Sequence, residues 1–194
     1  MVNIILLDNI DSFTYNLVDQ LRNNNHQVLI YTNRLSTSTM INILTNIINP
    51  ILILSPGPGS PKNAGCMMHL IRKIRGHIPI IGICLGYQAI IQSYGGQISQ
   101  SSEIFHGRSS FIHHDKSAMF INIPNPLLVG RYHSLIGTNI PINLKINAYY
   151  NNTAMAVRND QDKICGFQFH PESILTTYGA QLIHQTINWA INKN

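Results

Sequence analysis

The stretch Gly82-Ile83-Cys84-Leu85-Gly86 sets one cysteine between two glycines, directly after an apolar run and ahead of a helix-compatible segment. A nucleophile flanked by glycines at a strand-to-helix turn has the pattern of a nucleophile elbow. The glycines relieve the crowding of a sharp turn and let a substrate carbonyl approach the sulfur. A helix opening at Leu85 adds unpaired N–H groups and a positive dipole end, both of which favour a thiolate. Taken alone, the stretch fits a small buried cysteine in a tight turn equally well.

Gly166-Phe167-Gln168-Phe169-His170-Pro171-Glu172-Ser173 supplies what a reactive cysteine needs. His170 and Glu172 lie two apart, so on an extended segment their side chains leave the same face. Pro171 cannot donate to a sheet ladder, which puts the pair at a strand end or edge. A carboxylate there can hold one imidazole nitrogen, fix the tautomer and leave the other nitrogen facing the thiol. The glutamates of the chain are Glu103 and Glu172, which weighs against incidental surface charge, although a lone His-Pro-Glu is more often a capped turn.

Ser55-Pro56-Gly57-Pro58-Gly59-Ser60-Pro61 follows another apolar run, where ligand-contacting loops of open α/β sheets gather. Its alternating Pro and Gly give a stiff loop whose glycine N–H groups can be aimed at an oxygen anion. It lacks the lysine of a phosphate-binding loop. Asp8-Asn9-Ile10-Asp11-Ser12-Phe13-Thr14 carries good turn and helix-start residues and is assigned a structural role. His26, His69, His77, His113, His114 and His184 show no spacing of a metal site, so no metal is expected in this chain. Cys66 and Cys165 lack an elbow context and are expected to be inert.

These groups need elements to position them. NIILL at 3 to 7, QVLIY at 27 to 31, ILIL at 51 to 54 and IPIIGI at 78 to 83 are continuous apolar runs, suited to strands buried on both faces of a parallel sheet. Between them Phe13, Leu17 and Leu21 step by four residues from a Ser12 that can cap a helix, and Met67 to Ile74 is a second helical segment. The alternation predicts an α/β fold: a doubly wound, mostly parallel sheet with flanking helices. From about 97 to 169 the pattern shifts to shorter pieces such as INAYY and AMAVR, read as a partly antiparallel extension of the same sheet. A closing amphipathic helix is expected to bury Ile183, Ile187, Ala190 and Ile191.

At 194 residues the chain reads as a single domain over 1–194, with 44% hydrophobic and only 11% charged residues. The formal charge of +5 is scattered apart from Arg72, Lys73 and Arg75, which argues against a nucleic-acid partner. Residues 3 to 7 are followed at once by Asp8 with no small-residue cleavage site, and no apolar run is long enough to span a membrane. A soluble, cytoplasmic protein is expected. The 3 cysteines are too few and too widely spaced for a disulfide framework or a zinc ribbon.

Together LLDNIDSFTYNL, LSPGPGSP, GICLGYQ, RYHSL and GFQFHPESILT resemble, in order and over nearly the whole chain, the triad (class I) glutamine amidotransferases. The resemblance implies that Cys84 is the nucleophile, His170 the general base and acid, and Glu172 the residue that orients it. It implies that Gly57, Pro58 and Gly59 hold L-glutamine and, with the Leu85 amide, form the oxyanion hole, and that Gln88, Ser134 and Leu135 bind the substrate. Within the family the likeness is strongest to subunits serving chorismate-using synthases. This implies a hetero-oligomer in which ammonia passes to anthranilate synthase component I, with magnesium required by that partner. The amidotransferase subunit of aminodeoxychorismate synthase shares nearly every motif and stays open, as do a silent docking subunit and a cysteine hydrolase of another substrate. Tyr87 and Arg108 depart from the commonest pattern, histidine after CLG and HGK.

Overall fold

The computed structural model describes residues 2–23, 25–101, 103, 105 and 107–192. The first half alternates strand and helix: β1 (Asn3–Asp8), α1 (Thr14–Asn23), β2 (Gln27–Thr32), α2 (Thr37–Thr45), β3 (Pro50–Leu54), α3 (Met67–Ile74), β4 (Ile80–Ile83) and α4 (Leu85–Ser93). Then come β5 (Gln97–Gln100), β6 (Arg108–His114), β7 (Leu127–Arg131), β8 (Leu135–Thr138), β9 (Lys145–Tyr150), β10 (Thr153–Asn159), β11 (Ile164–Phe167) and α5 (Gly179–Ile191).

A 9-stranded sheet runs in the order β2-β1-β3-β4-β11-β10-β9-β6-β7. From β2 to β11 the neighbours are parallel; from β11 outward they are antiparallel. The expected antiparallel extension is thus continuous with the parallel half. A separate 2-stranded ribbon pairs β5 with β8.

The runs of β1, β3 and β4 are strands buried on both faces, and alternate residues feed two cores; the run of β2 is not, because β2 is the edge strand and leaves Leu29 and Ile30 exposed. Ile4, Leu6, Ile53, Ile81 and Phe167 pack with Leu17 and Leu21 of α1 and with Leu182, Ile183 and Ile187 of α5. Ile5, Leu7, Leu52 and Leu54 pack on the other face with Met40 of α2, Leu70 and Ile71 of α3, and Ile90 of α4. Period-two alternation on a covered sheet dictates this division.

Two local expectations are corrected. Ser12 lies in the turn before α1, and Asp11 closes that turn, its carboxylate accepting from Phe13 N at 2.9 Å and its carbonyl from Thr14 N at 3.3 Å. In α5, Ile183, Ile187 and Ala190 are buried as the stripe requires, but Ile191 is 43% exposed at the final turn, where no element covers it.

The crossover that matters is the last. After the antiparallel excursion the chain re-enters the sheet as β11 beside β4, pairing Gly166 with Gly82 and Phe167 with Ile83. The segments that follow β1, β3, β4 and β11 therefore leave one common edge of the sheet, at its carboxyl ends, where open α/β folds place their ligand sites.

Candidate active site

Cys84 links β4 to α4 with φ 50° and ψ −96°. That left-handed backbone favours glycine and costs another residue on the order of 1–3 kcal/mol. An inert position would relax to glycine, so a cysteine held there points to a need for the thiol. Its N–H donates to Phe167 O at 2.8 Å, and its carbonyl accepts from Gln88 N at 3.0 Å.

The flanking glycines relieve crowding as expected, but the crowding is backbone on backbone. A Cβ on Gly82 would lie 2.6 Å from Gly86 O, and one on Gly86 would lie 2.6 Å from Leu54 O. They let α4 pack directly against the backbone of β4 and β3, and their free faces point into those contacts and not toward a substrate.

His170 lies just past the end of β11, in an antiparallel bridge to Gly130, and its N–H donates to Gly130 O at 3.1 Å. Its carbonyl accepts from Thr176 Oγ1 at 2.6 Å, and Thr176 Oγ1 accepts from Gly130 N at 2.9 Å, so the His-Pro-Glu turn is pinned on both sides. Nδ1 meets Glu172 Oε1 at 2.7 Å with both side chains buried. Nε2 is buried and has no hydrogen-bond partner in that geometry, although Cys84 lies near enough to act on the ring. Burial alone would lower the His170 pKa. The charge of Glu172 first, and then the neighbouring Cys84, outweigh burial and hold it well above its ordinary value.

Aromatic rings frame this imidazole: Tyr132 and Phe13 stand at centroid distances of 4.9 and 5.4 Å. Phe13 belongs to the segment assigned only a structural role, and the four-residue step that marked it as a helix-face residue hid its contact with His170. The rest of that segment is structural in a specific way. Asn9 N–H donates to Ser55 Oγ at 2.8 Å and Asn9 Nδ2 to Ser55 O at 2.9 Å, with Asn33 Nδ2 bonded to Asn9 Oδ1 at 3.1 Å. Asn9 thereby clamps the Pro-Gly loop.

In that loop Gly57 packs between Asn9 and Leu85; a Cβ there would meet Asn9 Cβ at 2.6 Å and Leu85 Cδ2 at 2.8 Å. Pro58 and Gly59 are exposed at the tip, Gly59 with φ 77°. Leu85 N is the first amide of α4, among those without an intrahelical acceptor. Gln88 is buried, its Nε2 donating to Leu135 O at 3.2 Å and to Gln168 Oε1 at 3.3 Å. Ser134 is exposed, and its carbonyl accepts from Ser101 N at 2.8 Å.

Three polar residues at the site escaped the sequence reading. Gln168, wholly buried between Phe167 and Phe169, points Nε2 at Cys84 Sγ, 3.8 Å away. A buried amide inside an aromatic run is the signal that could have revealed it. Arg131 and His133 are also buried, with Arg131 Nε donating to His133 Nε2 at 3.2 Å. Burial first, and then the Arg131 charge, lowers His133 to about 3, so its ring is neutral. Burial lowers Arg131 to about 10, which leaves it charged at neutral pH.

Tyr87, the departure beside Gln88, faces away from this chemistry. Its hydroxyl donates to Ala154 O at 2.7 Å, and its ring belongs to the α3 and α4 core, whereas Cys84 belongs to the opposite one. Arg108, at the start of β6, is exposed, and nothing in the structure explains its replacement of lysine.

Residues 5–189 match the profile of the family described as glutamine amidotransferase class-I. Anthranilate synthase component 2 of Buchnera aphidicola subsp. Schizaphis graminum is 61% identical over 190 residues, covering 98% of this chain and 97% of that protein. The protein of the same name from Vibrio parahaemolyticus is 50% identical over 194 residues, covering 100% and 99%. The crystal structure of a glutamine amidotransferase from Thermotoga maritima superposes with a TM-score of 0.71 at 16% identity, over 96% of this chain and 81% of that one. At that identity the likeness shows the fold.

Proposed function

We infer the function from one premise: the chain belongs to the glutamine amidotransferase class-I family. It is an enzyme that hydrolyses the side-chain amide of L-glutamine, in the role of the component 2 subunit of anthranilate synthase in tryptophan biosynthesis. The observation that carries the chemistry is the 2.7 Å His170–Glu172 pair, which leaves Nε2 without a hydrogen-bond partner on a ring that Cys84, held at φ 50°, is near enough to influence.

The thiol proton passes to His170 Nε2, and the Cys84 thiolate attacks the amide carbon of glutamine. The amides of Leu85 and of the Gly57-Pro58-Gly59 loop receive the developing oxyanion. His170, steadied by Glu172, gives its proton to the departing nitrogen, and ammonia leaves a glutamyl thioester. A water, deprotonated by His170, then attacks the thioester, releases glutamate and restores the thiol. Gln88, Ser134 and Leu135 contact the amino acid portion of the substrate.

Each of these steps uses only groups of this chain. Ammonia passes to anthranilate synthase component I, which converts chorismate to anthranilate and uses magnesium. Among the described residues no helix is long and apolar enough to cross a membrane, and no cluster of metal-ligating side chains is present.

Mixing the chain with component I, glutamine and chorismate should yield anthranilate, and Cys84→Ser should abolish glutamate release while ammonium salts still support the partner. Product formed only with an aminodeoxychorismate synthase partner would redirect the assignment. Glutamate release that persists in Cys84→Ser would remove the nucleophile.

A further inference from the structure

The side chains behind the nucleophile form a relay that runs through one backbone carbonyl, Leu135 O, on which His133 and Gln88 both converge. Arg131 Nε can only donate, and it donates to His133 Nε2 at 3.2 Å, so the His133 proton must sit on Nδ1. Nδ1–H then donates to Leu135 O at 3.0 Å. A carbonyl can only accept, so Gln88 must turn its NH₂ toward Leu135 O, at 3.2 Å. The same NH₂ reaches Gln168 at 3.3 Å, which obliges Gln168 to present its oxygen there and its own NH₂ to Cys84 Sγ at 3.8 Å. The orientation of an amide is usually ambiguous; here the Leu135 carbonyl, which can only accept, removes the ambiguity. Arg131, His133, Gln88 and Gln168 are all buried, which shields the relay from exchange with water.

We propose that Gln168 is a further catalytic residue, donating from its side-chain amide to Cys84 Sγ to stabilise the thiolate, and that His133 is a positioning residue that holds in place the Leu135 carbonyl from which the Gln88 and Gln168 amides take their orientation. The inference rests on Cys84 being the nucleophile. The amide of Gln168 gives the sulfur a donor that stays, distinct from the imidazole of His170, which carries the reacting proton. Gln168 makes its contact to sulfur from inside the core, where a charge-assisted hydrogen bond is worth most.

The test is the second-order rate of alkylation of Cys84 in the full-length chain by iodoacetamide, read by mass spectrometry on the Cys84 and Cys66 peptides, beside glutaminase kcat and KM with component I. Gln168→Met keeps length and loses the donor, and should slow alkylation and kcat about tenfold with KM changed less than about twofold. His133→Leu should slow both about threefold or more, and His133→Asn, whose amide can still donate to Leu135 O, should restore them to within about twofold of the parent. Thermal melting follows the fold of each variant; if Gln168→Met does not fold, Gln88→Met breaks the relay one link earlier and should give the same loss in alkylation rate, the readout that needs no bound glutamine. A Gln168→Met chain alkylated as fast as the parent overturns the catalytic role, and His133→Asn as slow as His133→Leu overturns the positioning role. Parent Cys84 alkylated no faster than Cys66 would defeat the nucleophile reading itself, separately from the relay.

Discussion

His133 and His170 share the site, yet their surroundings drive them in opposite directions. Burial opposes a charged ring in both, but His133 faces Arg131 while His170 faces Glu172 and Cys84. With His133 lowered from 6.5 to about 3, the unfolded chain binds a proton that the folded chain refuses between those values. Its contribution is therefore complete above about pH 6.5 and is lost as pH falls, at up to about 1.4 kcal/mol per pH unit. His170, raised well above 6.5, works the other way: its contribution is complete at low pH and is lost as pH rises through its folded value. Replacing His133 by Asn should therefore flatten the acid side of the stability profile. The urea midpoint of the variant should drop less than that of the parent between about pH 6.5 and 4.5, with the remaining slope owed partly to His114, which burial also lowers. Parallel profiles would count against the buried neutral ring. Tyr87 allows a second prediction at this scale. Tyr87→Phe removes the 2.7 Å bond to Ala154 O and should cost about 1–2 kcal/mol in thermal denaturation. Because the ring lies in the core opposite Cys84, kcat for glutamine hydrolysis should stay within about twofold.

Between β3, β4 and α4 the decisive contact is backbone on backbone. Gly86→Ala would drive a methyl to within 2.6 Å of Leu54 Cβ and Leu54 O, which cannot yield as a flexible side chain would. The expected result is a loss of about 1–3 kcal/mol or more in stability, together with a fall in kcat as α4 shifts and carries Leu85 N away from the oxyanion position. Gly59→Ala makes the contrast: its Cβ meets open space, so only the φ of 77° opposes it, at about 1–2 kcal/mol. A melting temperature for Gly86→Ala equal to the parent's would mean that the helix need not lie so close. The strands at this scale were legible because burial on both faces writes continuous apolar runs, and α3 was legible because Met67 to Ile74 repeats with a helical period. Helix α2 was not, since the threonines and β-branched isoleucines of Thr37–Thr45 favour extended structure. Burial of Met40 and Leu44 and the Ser36 cap, whose side chain accepts from Thr39 N, override that preference.

As a whole the chain builds two apolar layers on one 9-stranded sheet, and the strands supply both layers through alternate residues. Neither layer can dissolve without exposing the back of the other, so unfolding should be one cooperative event. Trp189, the single tryptophan, packs against the layer that contains α1 and α5. Its fluorescence should change with the same denaturant midpoint as the far-UV circular dichroism, and an earlier fluorescence transition would show α5 leaving first. The sequence by itself determined the elbow, the His-Pro-Glu pair, the strand and helix alternation and the antiparallel excursion, because local spacing and periodicity encode them. Tertiary structure alone decided that β11 returns beside β4 and brings Gly166 opposite Gly82, so that His170 and Cys84 meet across a separation no local pattern spans. It also decided what the glycines are for, since their neighbours are other backbones and not a substrate. The polarity of the chain from Arg131 to Gln168 was likewise out of reach of the sequence, because hydrogen-bond direction exists only once donors and acceptors from separate strands and a helix are placed within reach of one another.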